Sequence, residues 1–305
     1  MFKKIFKKII FLLVILFGTS FMMVERPIAS EKIVLDFNNE KIGLSLGSGG
    51  LLGSYELGAL QYLKEQGIEV TDFDSAIGTS IGSVVLGGVL SNGLEWTKDC
   101  FFNTTDEQIY NGKLTDSECE AINDIFKQKN NIGNISLIFR GVIKGQLDNQ
   151  PFVDLIKNNI DEEKILNSGV EVGFCTTPVY TPTKVKCKSG SDLKGKTTDW
   201  IIASSSCYPV FPIYTVNRLK YMDGGYIDPT NAHFLFDKFN CDKIVVIDLM
   251  TYSDIYKDKE NIAYICPSTD LGSFLNTDPE QILENYNQGY TDMKEYFENN
   301  VIIIK

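Results

Sequence analysis

Gly78-Thr79-Ser80-Ile81-Gly82 closes an apolar-leaning run, Asp72 to Ile77, and opens a small-residue helical run, Ser83 to Val89. A G-x-S-x-G between a strand and a helix is the nucleophile-elbow pattern. Its glycines let the backbone turn sharply, so the Ser80 hydroxyl is held out at a helix N-terminus. The chemistry this suggests is attack by Ser80 on an ester or similar acyl bond. The same five residues also read as a plain turn with a helix cap. The rest of the chain must therefore supply the other parts of a site.

Upstream, Ser30 to Asn39 reads as a linker and Lys41 to Leu46 as a strand. The glycine-rich Gly47 to Gly53 follows. Tyr55 to Gln66 has a helical pattern, with Leu57, Leu60, Tyr62 and Leu63 on one face, and Gly67 stops it. Phe73 to Ile77 is the next strand. Strand, helix, strand, helix at this spacing means βαβ units and a mainly parallel sheet, an α/β fold. Downstream, Glu95 to Asp161 is polar, rich in Asn and Lys, and reads as a helical insertion or cap. Val170 to Ser189 returns to β-type sequence. Asp199 to Ser206 is helical, Tyr208 to Pro212 a proline-bounded loop, and Tyr214 to Met222 a strand. Asn231 to Phe239 is a short helix, and Lys243 to Leu249 and Ile262 to Cys266 are strands. Asp278 to Asn299 is a terminal amphipathic helix.

A serine nucleophile needs a base. The chain has one histidine, His233, in an apolar helix start that reads as a buried structural position. A carboxylate is the alternative, and Asp223 is the candidate. It follows the strand residues Leu219 to Met222 and precedes Gly224-Gly225, a pair that lets another backbone approach closely. In an open parallel sheet, functional groups gather at the carboxyl ends of strands, where Ser80 and Asp223 are both expected. Backbone N–H groups of the Gly47 to Gly53 loop, near a helix N-terminus, would stabilise an oxyanion. The same loop, with Glu69 or Asp72 about 20 residues on, is also compatible with dinucleotide binding. A Walker phosphate loop is excluded, because no Lys-Ser or Lys-Thr follows.

The set and its order resemble the patatin-like phospholipases: a glycine loop, a helix carrying Gly58, the Ser80 elbow, and Asp223-Gly224-Gly225. Ala203-Ser204-Ser205-Ser206-Cys207-Tyr208-Pro209-Val210-Phe211-Pro212 is similar to that family's serine-rich helix and proline turn, and Gly289-Tyr290 to a feature of its last helix. The resemblance implies a three-layer α/β/α domain over about 41–300, with the helical insertion at about 95–161. It implies Ser80 as nucleophile and Asp223 as base, a dyad without histidine. It implies an oxyanion hole from Gly49, Gly50 and Leu51, with Gly78 and Gly82 shaping the elbow. The implied activity is lipid acyl hydrolysis (phospholipase A, lysophospholipase or esterase) on a phospholipid or related lipid, with no cofactor and no metal. Apolar residues of the cap and of Tyr208 to Phe211 would line the acyl pocket. Ser48 stands where the family usually has glycine, and Leu52 where it usually has arginine or lysine. The missing charge removes any arginine-dependent anion contact and points toward neutral lipids or simple esters. Two rivals stay open: a dinucleotide-binding oxidoreductase, and an inactive membrane-tethered lipid-binding module of the same fold.

The formal net charge of −11 argues against nucleic acid as a partner, since phosphate binding needs a basic stripe. The N-terminus departs from this acidity. Lys3, Lys4, Lys7 and Lys8 precede an uncharged run from Ile9 to Val24. Residues 1–29 therefore read as a signal peptide, with small residues at Gly18-Thr19-Ser20, or as an uncleaved membrane anchor. Either places the protein outside the cytoplasm or on a membrane surface. The seven cysteines have no C-x-x-C spacing, so a zinc site is not indicated. Cys100–Cys119 and Cys175–Cys187 are the pairs open to a disulfide.

Overall fold

Every residue of the strand Lys243–Ile247 except the first is buried, and its run of Ile and Val suits a strand covered on both faces. It lies within the sheet that organises the molecule. The computed structural model describes residues 32–112, 147–250, 256 and 259–305. The strands are β1 (Ile33–Asp36), β2 (Ile42–Leu46), β3 (Ser75–Thr79), β4 (Glu171–Pro178), β5 (Lys186–Ser189), β6 (Tyr214–Val216), β7 (Leu219–Asp223), β8 (Lys243–Ile247), β9 (Ile262–Ile265) and β10 (Val301–Ile304). The helices are α1 (Ser54–Glu65), α2 (Ile81–Asn92), α3 (Leu94–Phe102), α4 (Asp106–Ile109), α5 (Gln150–Asn159), α6 (Glu162–Leu166), α7 (Thr197–Ser204), α8 (His233–Asp237) and α9 (Pro279–Asn300).

The main sheet has the order β6-β7-β4-β3-β2-β8-β9, with β5 paired to β4. From β4 through β9 along this order, neighbouring strands run parallel. The β5–β4, β7–β4 and β6–β7 pairs are antiparallel. Alternate residues point to opposite faces. Ala76, Phe174, Val245 and Ile247 join one apolar cluster with residues of α1, α2, α7 and α9. Ile77, Cys175, Ile244 and Val246 join another with Leu235, Phe239 and Tyr256. The layers are thus unequal: α1 to α7 and α9 all contribute to the first cluster, and the short α8 with its flanking chain to the second.

Three local readings change. Within the expected linker, β1 forms and pairs in parallel with β10, beyond the last expected helix. The expected single strand from Tyr214 is the hairpin β6–β7, whose turn residues Asn217 and Arg218 both have positive φ, 52° and 66°. The described part of the insertion carries α3, α4 and α5, and 113–146 lies outside the described residues. So do the leader and Cys119. Among the described residues, no helix is long and apolar enough to cross a membrane.

Gly58 and Gly289 explain each other. A Cβ on Gly58 would lie 1.8 Å from the Tyr286 carbonyl oxygen, and one on Gly289 would lie 1.9 Å from that of Tyr55. Helices α1 and α9 therefore cross backbone to backbone. Since α1 starts directly after the glycine loop, this crossing anchors that loop. Gly58→Ala is expected to cost about 3 kcal/mol or more, because a backbone rather than a flexible side chain must yield. A urea-unfolding midpoint unchanged from wild type would disprove the tight crossing.

Candidate active site

Ser80 has φ 55° and ψ −121°, a conformation that residues other than glycine rarely adopt. It sits between the end of β3 and the first turn of α2. The flanking glycines make the turn possible. A Cβ on Gly78 would lie 2.5 Å from the Ser83 Cα, and one on Gly82 would lie 2.4 Å from the Leu46 carbonyl oxygen. The Gly82 N–H donates to the Gly47 carbonyl at 3.0 Å, which ties the elbow to the glycine loop.

The end of α7 holds the elbow from the other side. The Ser80 N–H donates to the Ser204 hydroxyl at 2.9 Å, and the Ser205 hydroxyl donates to the Ser80 carbonyl at 3.0 Å. The Ser204 hydroxyl in turn donates to the Cys175 carbonyl at 2.5 Å. One residue later, the Ser206 carbonyl accepts the Asp223 N–H at 2.9 Å. Three consecutive serines thus fasten both Ser80 and Asp223.

Asp223 ends β7, and its register partner on β4 is Thr176, next to Cys175, which pairs with Thr79. It therefore reaches the carboxyl end of the parallel strands on an antiparallel strand that enters from that side. The sheet is mainly parallel as expected, with β7 one of its antiparallel strands, and Asp223 lies at the expected carboxyl end of the parallel strands. Asp223 is 4% exposed and Ser80 is 8% exposed. Burial pushes the Asp223 carboxyl up to about 7, against the opposing pull of the Ser80 hydroxyl and the Gly225 amide. The Gly225 N–H donates to Asp223 Oδ1 at 2.7 Å.

Asn231, which sequence reasoning placed only at a helix start, belongs to this assembly. It is fully buried with φ 51°. Its amide donates to the Thr79 hydroxyl at 3.1 Å, the Gly224 carbonyl at 3.2 Å and the Asp228 carbonyl at 2.7 Å. It links the residue before Ser80 to the residue after Asp223. The signal that could have found it is its place after Asp228-Pro229, a dipeptide that favours turns.

The glycine loop needs one correction. The Leu51 N–H already donates to the Phe274 carbonyl at 2.8 Å, so it is not available to an oxyanion. The N–H groups of Gly47 and Ser48 are also committed, to Ile247 and Pro229. Gly49 and Gly50 line the cavity beside Ser80 with N–H groups that have no acceptor among the described residues. Ile81, the first residue of α2, offers a third such N–H. Leu52 is buried in the core and does not line this cavity, so the uncharged side chain there packs rather than recognises.

The cavity encloses about 820 Å³ including its mouth. Ser80, Asp223, Gly49 and Gly50 lie on its wall, and Phe152, Val210, Phe211 and Phe274 are among its apolar lining. No cluster among the described residues has the makings of a metal site.

His233 takes no part. Its side chain is 44% exposed rather than buried, and its Nδ1 lies 3.5 Å from Asp228 Oδ2 and 3.3 Å from the Tyr256 hydroxyl. The acids of the dinucleotide reading are also misplaced. Glu69 and Asp72 precede β3 and form a capping box with each other, at the end of the sheet opposite the glycine loop. Cys175 and Cys187 face each other across β4 and β5, both buried and both as free thiols.

A Patatin-like phospholipase family model matches residues 44–236, which contain the glycine loop, the elbow and Asp223-Gly224-Gly225. The chain belongs to the patatin-like phospholipase family. Among solved structures, VipD from Legionella pneumophila is similar in fold, with a TM-score of 0.52 at 13% identity, over 86% of this chain and 67% of that one. ExoU from the type III secretion system of Pseudomonas aeruginosa, in complex with SpcU, matches at TM-score 0.41 and 11% identity, over 89% of this chain and 53% of that one. Human GIVD cytosolic phospholipase A2 matches at TM-score 0.39 and 11% identity, over 87% of this chain and 60% of that one. This patatin-like chain thus spans between about half and two thirds of these three solved chains. A search of curated proteins found no match.

Proposed function

We propose that this protein is a lipid acyl hydrolase in which Ser80 and Asp223 form a catalytic dyad. The observation that carries the proposal is their convergence. A strained serine at a helix N-terminus, a buried carboxylate and two unengaged loop amides share one apolar cavity. Family membership supports a lipid ester as the substrate.

In this mechanism Asp223 accepts the Ser80 proton as Oγ attacks the ester carbonyl. The oxyanion that forms is met by the N–H groups of Gly49 and Gly50, assisted by that of Ile81 and by the positive end of α2. Collapse of the tetrahedral intermediate expels the alcohol portion, which takes the proton back from Asp223. Water then attacks the acyl-serine with Asp223 again as base, releasing the fatty acid and restoring Ser80. A carboxyl held near 7 suits both accepting and returning the proton. The apolar walls favour a hydrocarbon chain, and burial strengthens each polar contact.

The leader 1–29 and its lysines support a secreted or membrane-attached enzyme working at a membrane surface. A fluorophosphonate probe tests the chemistry directly. Peptide mapping is expected to place the adduct on Ser80 and no label on Ser204 or Ser205. A folded protein that stays unlabelled would favour the inactive lipid-binding module.

A further inference from the structure

A second cavity lies behind the first, between α2, α3 and α5. It encloses about 530 Å³ including its opening. Leu51, Ile81, Ile109 and Phe152 line both cavities, so these four side chains are the partition between them. Two of the four are tied to the chemistry. Leu51 follows the loop amides of Gly49 and Gly50, and Ile81 follows Ser80.

The far walls are apolar in effect as well as in composition. Among the described residues, no Asp, Glu, Lys, Arg or His lines the second cavity. Its polar side chains are turned onto their own helices. The Thr97 hydroxyl donates to the Gly93 carbonyl at 2.9 Å, the Thr104 hydroxyl to the Cys100 carbonyl at 2.7 Å, and the Asn159 amide to the Leu155 carbonyl at 2.8 Å. Val84, Phe101, Leu155, Ile156 and Ile160 face the space with hydrocarbon, and Trp96 and Cys100 add only an indole N–H and a thiol. Such a space offers too few partners to hold a charged head group or an ordered water. It suits the chain of a lipid.

We propose that this second cavity receives the distal end of the substrate's acyl chain and so sets a preference for long acyl chains. The proposal rests on the acyl-transfer reading of Ser80. An ester bound with its carbonyl oxygen toward Gly49 and Gly50 places its acyl chain among the apolar walls of the first cavity. A chain too long for that cavity passes the Ile109 and Phe152 side chains and continues between α3 and α5. Short chains never reach the partition.

Val84, on α2, and Cys100, on α3, line the second cavity but not the first. Val84→Phe and Cys100→Trp fill it from two different helices. Each is expected to lower kcat/KM for para-nitrophenyl palmitate by about tenfold or more while leaving para-nitrophenyl butyrate within about twofold of wild type. Equal losses on both esters, or no loss on either, would overturn the proposal. A second measurement uses the unaltered chain. A long-chain alkyl fluorophosphonate with a terminal diazirine is attached at Ser80 and photolysed. Crosslinks to Trp96–Thr104 or Leu155–Ile160 support the distal site. Crosslinks confined to Val210–Phe211 or Phe274–Leu275 refute it. Failure of the wild type to hydrolyse either ester or to take the probe would instead remove the acyl-transfer reading on which the proposal rests.

Discussion

Ser80→Ala is expected to lower ester hydrolysis by about 10⁴-fold or more. The fold should survive, because the bonds that hold the elbow do not use the serine side chain. The contacts from Ser204 and Ser205 are made to the backbone N–H and carbonyl of residue 80. Alanine also keeps the same Cβ, so it meets the positive φ much as serine does. Asp223→Asn should lose activity on a comparable scale, since an amide cannot take the Ser80 proton. The double variant should be hardly worse than either single one. Groups that act as one unit give losses that do not add. Kinetics with para-nitrophenyl butyrate, alongside circular dichroism, check this. Undiminished hydrolysis by Ser80→Ala would sink the dyad. Losses that multiply in the double variant would show that the two residues act separately.

Most of the sheet was legible because its strands carry strong local signals. The runs Lys41–Leu46 and Lys243–Leu249 are apolar and bounded by turn residues, and βαβ order dictates parallel pairing. The strands that escaped lack such signals. Strand β1 has four residues and gains its partner only from β10, almost the full chain length away. The β6–β7 hairpin hides in a run whose turn, Asn217-Arg218, lacks the glycine that usually marks a tight turn.

The site divides in the same way. Ser80 and Asp223 stand beside glycines whose spacing records a steric need, so a single sequence exposes them. The fate of each loop amide is not written locally. Leu51 lost its role to the Phe274 carbonyl, a partner more than two hundred residues downstream. Asn231 gained a role by meeting Thr79 and Gly224 in three dimensions. Gly58 and Gly289 carried a family likeness in the sequence, while their steric cause lies in a helix crossing that no local pattern specifies.

Asp223→Asn is expected to make the inactive protein more stable than wild type at neutral and alkaline pH. The folded chain holds the Asp223 carboxyl near 7, mainly through burial, while the unfolded chain returns it to its ordinary value near 3.8. Below about pH 4 the group is protonated in both states and contributes no penalty. Between about pH 4 and pH 7 the unfolded chain has released the proton and the folded chain has not, so stability falls as pH rises. Above about pH 7 the carboxylate is buried as an anion, and the loss is complete. The upper bound for a rise of this size is ~4 kcal/mol. Asparagine carries no such ionisation, and its carbonyl oxygen can still accept the Gly225 N–H. The gap between variant and wild type should therefore open from about pH 4, widen to about pH 7 and then stay constant. Asp248, also pushed up to about 7 by burial, keeps part of the slope in both proteins. Urea midpoints across this range measure the gap, and parallel curves for the two proteins would refute it. The ionisation that destabilises the fold is the one that creates the base. Wild-type hydrolysis should climb with an acid limb near pH 7 over the same interval in which stability is lost.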